Sequence, residues 1–355
     1  MIQNVKEGFS RFRKKPAFTG FILFMATIVL NAVVQGIAGK TGFFDPRSIK
    51  TLFSANMPFL LVVMAQSILL LSGTMDISVG SQLALVNVVT IMTMQEWNIP
   101  FLAACGLGIG AAVMASMACW LFVSIFRLPA LLASFALNYA ILGVNVLIMN
   151  VPQGKVPKVF YSGYDSMLLG VIPVAGLALV LALLIWAYAR RTRFGVNIYA
   201  VGANPRNAFA AGISPIKVQL QAFVLKGLFT GIAGVCLTLL TASGNPNQAE
   251  AYGLRSLSAC IIGGLGFGGW GSLACGIFGG GFLILIQNSV YYFFILLSST
   301  IPGFTASSYW QNFVSDIIIF MGLLMTLVTV KGQREALRIN LQNSVVFKRR
   351  AEHGK

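Results

Sequence analysis

Residues 58–92 read PFLLVVMAQSILLLSGTMDISVGSQLALVNVVTIM. Two apolar runs flank a short break, LSGTMDISVGS at 71–81, whose single acid is Asp76. Gly73 and Gly80 bracket that acid, and glycine tolerates the backbone conformations at which a helix is interrupted. An acid between membrane-length runs is costly unless paired or hydrated. Two roles are open to Asp76. It can contact a solute directly, or it can cap the next helix, accepting from free amides at the positive end of the dipole.

The same pattern extends along the chain. Of 355 residues, 57% are hydrophobic and 10% charged, against about 25% charged in a soluble domain. The mean hydropathy is +0.82. Apolar runs near the roughly 20 residues needed to cross a bilayer core fall at 17–38, 51–72, 78–95, 99–125, 129–150, 168–189, 216–242, 253–265, 271–297 and 310–330. The eighth is too short for a straight crossing and reads as a broken or re-entrant helix, which is tolerated where protein or a water-filled cavity shields it. The fold class is an all-α polytopic membrane protein of about ten transmembrane helices, with one or two broken segments.

Charge sets the orientation. With the N-terminus inside, eighteen Lys and Arg fall on the cytoplasmic side and six on the other, with Lys226 alone inside a run. That asymmetry follows the positive-inside rule and places both termini in the cytoplasm. It also accounts for the net charge of +16 without nucleic acid, and leaves membrane lipid as a partner of some inner charges. The domains are a basic segment at 1–16, a transmembrane domain at 17–330 with a cytoplasmic loop at 190–215, and a basic tail at 331–355. The first run lacks an A-x-A end and reads as a true span rather than a cleaved signal.

Several chemistries are excluded. The only histidine, His353, lies in the polar tail, and the five cysteines lie in apolar runs without CxxC spacing. No metal site and no cofactor are expected. No GxxxxGK[ST] sequence occurs, so the chain does not hold nucleotide in that way. An enzyme reading has no nucleophile with a base to support it.

Two loops stand out. Residues 151–167 form the longest outer connection. In the cytoplasmic loop, residues 202–213 read GANPRNAFAAGI. Asn204 and Pro205 look like a helix cap and first position, and Gly212 a stop. A helix this short is unstable alone in water, so it docks on the bilayer interface or on a partner. Ala208, Ala211 and Gly212 are small enough for close approach. The frame Gly-x6-Gly-Ser occurs twice, at Gly73–Ser81 and Gly264–Ser272, each between apolar runs. Matching breaks in two halves point toward a transport pathway.

Together the G-x-x-D-I-S-V-G-S stretch, GxNPxxAxxxGI and the later GG…GG-x-GS resemble one family over about residues 51–330. It is the inner-membrane permeases of bacterial ATP-binding-cassette importers for ribose-type sugars and related small solutes. The resemblance implies a translocation subunit in the bacterial inner membrane that is not an enzyme. Its partners would be a cytoplasmic ABC ATPase, an extracytoplasmic solute-binding protein and a second permease, identical or related. Asn204, Pro205, Arg206, Ala208, Ala211 and Gly212 would form the coupling helix seated on the ATPase. Asp76, Ser78, Gly80, Ser81, Gly264, Gly271 and Ser272 would belong to the pathway or its gate. Departures fall at ACWLF and ASFAL, residues 118–122 and 133–137, where the family's pattern differs.

Lys226 and Asp316 lie within apolar runs where the family usually has small residues. They are expected either to pair across the seventh and tenth spans or to be hydrated separately. The rival function is an ion-coupled secondary transporter using Asp76, Lys226 or Asp316.

Overall fold

The computed structural model describes residues 16–37, 42–170, 172–266, 268–301, and 309, 310, 312–314, 316, 317, 320 and 321. Its helices are α1 (Ala17–Ile37), α2 (Pro46–Leu71), α3 (Val79–Glu96), α4 (Phe101–Trp120), α5 (Ala130–Ile148), α6 (Lys158–Tyr164), α7 (Gly176–Arg191), α8 (Arg193–Ala203), α9 (Pro205–Ala210), α10 (Pro215–Thr241), α11 (Tyr252–Ile262) and α12 (Leu273–Thr300). A π-helical turn, Leu121–Ile125, prolongs α4. Strands β1 (Met167–Leu168) and β2 (Ile172–Pro173) pair antiparallel, Met167 opposite Pro173.

Among the described residues six helices are long and apolar enough to cross a membrane: α1, α2, α4 with its π turn, α5, α10 and α12. Helices α3, α7 and α11 occupy the third, sixth and eighth expected runs but are shorter or more polar. At 11 residues, α11 is about 16 Å long. The sixth run begins later than expected because Leu169 and Gly170 take left-handed backbone, φ 53° and 71°. They turn the chain into the β1–β2 hairpin, and α7 starts only at Gly176. Most of the expected tenth run, and the terminal segments 1–15 and 331–355, lie outside the described residues.

Helix α2 is the axis of the fold. Asp45 opens it, its carboxylate accepting from Arg47 N at 2.7 Å, with Pro46 in the first turn. Every residue from Leu61 to Leu71 is buried, as expected of a helix that is apolar all round. Helices α10, α11, α12 and α7 pack on it. On α10, a Cβ at Gly227 would come within 2.8 Å of Val113 Cα, so glycine there lets α4 approach closely.

The outermost helix shows the inverted logic of a membrane protein. On α1, Thr27, Asn31 and Gln35 are buried, whereas Ile22, Val29, Val33 and Ile37 are exposed. Spacing of four puts the polar residues on one face. Asn31 Nδ2 donates to the Leu285 carbonyl at 2.7 Å, and its Oδ1 accepts from Asn288 Nδ2 at 2.8 Å. Polar groups turned inward bind helix to helix where no water competes.

The loops opposite the α8–α9 end are tied down. Gln153 and Gly244 exchange two backbone hydrogen bonds of 3.1 and 2.9 Å. Asn87, fully buried on α3, donates to Thr238 Oγ1 and the Ser243 carbonyl and accepts from Asn245 N. Tyr164 donates to the Ser54 carbonyl at 2.9 Å. Burial pushes its phenol well above the usual range, so it remains a donor. Lys50 and Asp165 form an ion pair at 2.9 Å nearby.

Candidate gate and coupling site

The break between α2 and α3 cannot form helical hydrogen bonds along its whole length, so its polar groups need other partners. Asp76 supplies several. Its Oδ1 accepts from Ser78 N at 2.8 Å and Ser78 Oγ at 2.5 Å, holding the chain at the start of α3. Its Oδ2 accepts from Gln82 Nε2 at 3.1 Å and Lys226 Nζ at 2.7 Å.

Lys226 is likewise complete. Its ammonium has three donors, and they meet Asp76 Oδ2, Gln82 Oε1 at 2.5 Å and Ser116 Oγ at 3.3 Å. Both charged side chains have no exposed surface. A low-dielectric interior accepts two charges only when they are paired and fully hydrogen-bonded, and this cluster meets that condition. The expected partner of Lys226 is therefore corrected. Asp76 neutralises it from the α2–α3 break, while Asp316 is exposed on another part of the chain. Asp76 lies six residues before Gln82, and its pairing brings together α3, α4 and α10.

The other residues of the first break are placed around this cluster. Ser78 is the N-cap residue of α3, and Ser81 Oγ donates to the Ser78 carbonyl. The Ser81 carbonyl accepts from Asn145 on α5 at 3.0 Å. A Cβ on Gly80 would meet the Ala249 carbonyl oxygen at 2.5 Å, so this glycine seats the chain that leads into α11.

The second break, between α11 and α12, turns on glycines. Gly264, Gly268, Gly269 and Gly271 all have positive φ, which L side chains rarely adopt. Gly264 lies against the Pro16 carbonyl, Gly271 against Leu265, and Ser272 is the N-cap residue of α12.

The two breaks meet on α8. A Cβ on Gly202 would collide with the Leu71 carbonyl oxygen and come within 2.8 Å of Gly269 N. Gly73 faces the Gly202 carbonyl from the first break, 3.3 Å from its ideal Cβ position, and Gly268 faces it from the second at 3.4 Å. Backbone of four residues, Leu71, Gly73, Gly268 and Gly269, therefore closes on Gly202.

Gly202 is two residues before Asn204, where the exposed loop begins. Asn204 Oδ1 accepts from Arg206 N at 3.0 Å and Asn207 N at 3.1 Å, and Pro205 occupies the first turn of α9. Gly212, φ 81°, ends the turn, its N–H bonded to the Phe209 carbonyl. Ala208 is buried within the chain, so a partner does not meet it. Phe209 is 70% exposed, and Arg206, Ala211 and Gly212 are exposed beside it.

Sequence reasoning missed Gln82, Ser116, Gly202 and Phe209. Gln82 and Ser116 are polar residues in apolar runs, the signal that had singled out Asp76. Phe209 and Gly202 carried no comparable signal, because exposure and backbone contact depend on tertiary packing.

A buried helical core, interrupted at two shielded breaks that converge on a short capped helix, defines a polytopic membrane permease. The chain belongs to the family described as the branched-chain amino acid transport system / permease component, whose model matches residues 48–328. It is 29% identical over 288 residues to the D-allose transport system permease protein AlsC of Escherichia coli K12, covering 78% of this chain and 87% of that one. It is 27% identical over 313 residues to the ribose import permease protein RbsC of Bacillus subtilis 168, covering 86% and 89%. The probable ABC transporter permease protein YphD of E. coli K12 is 27% identical over 279 residues, covering 77% and 80%. No solved structure matches the chain. The resemblance to ribose-type importer permeases stands. The chain is an inner-membrane transport subunit and not an enzyme, and ATP hydrolysis belongs to a separate partner.

Proposed function

We propose that the chain is the translocation subunit of an ATP-binding-cassette importer that carries a sugar or sugar-like solute into the cytoplasm. Two permease copies, identical or related, form the pathway. A cytoplasmic ATPase drives it, and an extracytoplasmic solute-binding protein feeds it at the tied loops around Gln153 and Gly244. Sugar rather than amino acid is favoured by the relatives, whose names include D-allose and ribose permeases.

The observation that carries this reading is the continuity from Phe209 to the breaks. The ATPase grips the exposed face of α9, at Arg206, Phe209, Ala211 and Gly212. Asn204 and Pro205 fix the helix start, and Ala208 anchors α9 to its own chain. Closure of the ATPase moves α9 with α8, and Gly202 passes that displacement to Leu71 in one break and Gly269 in the other. The gate is the set of residues that those breaks hold: Asp76, Ser78, Gly80, Ser81, Gly264, Gly271 and Ser272. With both termini inside, α9 faces the cytoplasm, as a coupling helix must.

Ion coupling has little to work with. Asp76 and Lys226 neutralise each other without exposed surface, and Asp316 is exposed. The test is reconstitution of the chain with an ABC ATPase and a solute-binding protein from the cells that express it. The expected result is uptake of labelled sugar that needs ATP and loaded binding protein. Uptake driven by a proton or sodium gradient without ATP would overturn the reading.

A further inference from the structure

Two neighbouring cavities lie beside α1, α2 and α12. The first, about 260 Å³, is lined almost wholly by carbon, including Phe24, Ile28, Leu52, Met57, Leu179 and Ile284. The second, about 330 Å³, shares Phe43, Leu52 and Asn56 with it, but is walled by Gln35, Arg47, Asn288 and Tyr292. An apolar chamber with a polar mouth is the shape that an amphipathic molecule fills.

Two side chains at the mouth define the polar end of that molecule. Gln35 is 1% exposed, and its Oε1 has no hydrogen-bond partner among the described residues. A buried acceptor left unpaired is costly, so Gln35 calls for a donor from outside the chain. Arg47 is exposed at the start of α2, and among the described residues no acid pairs with it. Its guanidinium fork matches a phosphate. The mouth also lies where α1 ends and α2 begins, the level at which phospholipid headgroups meet a bundle.

We propose that these neighbouring cavities together are a site for an aminophospholipid. One acyl chain enters the apolar cavity, the phosphate meets Arg47, and the ammonium donates to Gln35 Oε1. Ethanolamine fits this acceptor better than glycerol does, because a charged donor makes the stronger hydrogen bond. Choline has no N–H to give. The site does not depend on what the permease transports.

The test uses the full chain, purified in mild detergent, stripped of lipid, and titrated with phosphatidylethanolamine, phosphatidylcholine or phosphatidylglycerol. Native mass spectrometry counts the lipid that stays bound. The site predicts one tightly held phosphatidylethanolamine per chain, with preference over phosphatidylcholine of about tenfold. Arg47→Ala and Gln35→Leu should each lower its retention about fivefold, Arg47→Lys should retain more than Arg47→Ala but less than the intact chain, and Leu52→Trp should exclude the lipid by filling the apolar cavity. Arg47 is exposed, so its variants report even where Gln35→Leu does not fold. Equal retention of all three lipids by every variant would reduce the site to general membrane solvation and overturn the proposal. Preference for phosphatidylglycerol would also overturn it, as would Leu52→Trp splitting a dimer without releasing lipid.

Discussion

Lys226 Nζ lies 2.7 Å from Asp76 Oδ2, and neither side chain is exposed. The pair joins α10 to the break that precedes α3, residues 150 apart in sequence. Gln82 and Ser116 complete the shell, so the lysine and the carboxylate are satisfied together. The break is thus held from within the bundle.

Removing one partner should hurt more than removing both. Lys226→Met leaves Asp76 buried without its counter-charge, a change that typically costs 3–5 kcal/mol, on the order of the stability of a small domain. Combined with Asp76→Asn, the loss should fall below that of Lys226→Met alone, short of the sum of the two single losses by more than about 3 kcal/mol. Asp316→Asn should leave the effect of Lys226→Met unchanged, because Lys226 has its counter-charge in Asp76. Thermal unfolding in detergent checks all three, and additive losses would argue against the pairing.

Gly202→Ala should uncouple the protein while leaving the ATPase bound. The added methyl meets the Leu71 carbonyl, and overpacking of this kind costs about 1–3 kcal/mol. The expected outcome is a loss of uptake of about tenfold or more, equivalent to at least about 1.4 kcal/mol, with pull-down of the ATPase unchanged. Uptake at the intact rate would remove Gly202 from the route.

Asn87→Leu should loosen the loops that tie Gln153 to Gly244. Three hydrogen bonds are lost, and Asn245 N loses its partner, while the Ser243 carbonyl keeps Thr241 Oγ1. Each group left unsatisfied costs about 1–3 kcal/mol. A lower melting temperature and faster proteolysis near Gly244 are expected, with ATPase docking intact.

Much of this organisation could be read from sequence where period and composition decide the structure. Among the described residues the apolar runs, apart from the late-starting sixth, became helices within a few residues of their expected ends, because membrane length and polar flanks bound them. The hairpin at 167–173 was hidden because its residues are as apolar as a span, and only the left-handed backbone at Leu169 and Gly170 separates the two. Asn204 and Pro205 were legible because capping is local chemistry. The partner of Lys226 was not. Asp76 and Asp316 were both acids among apolar residues, and choosing between them needed the fold of α10 against the break. Gly202 was hidden for the same reason, since its role is an approach between three segments far apart in sequence.

The most direct test of the central claim is capture of an ABC ATPase from the cells that express this chain, by the intact protein and by Phe209→Glu. The account predicts that the intact chain retains the ATPase in mild detergent. Phe209→Glu, which changes only an exposed side chain, should release it while the permease stays folded. Equal retention by both proteins would contradict α9 as the coupling element, and no retention by the intact chain would contradict the importer itself.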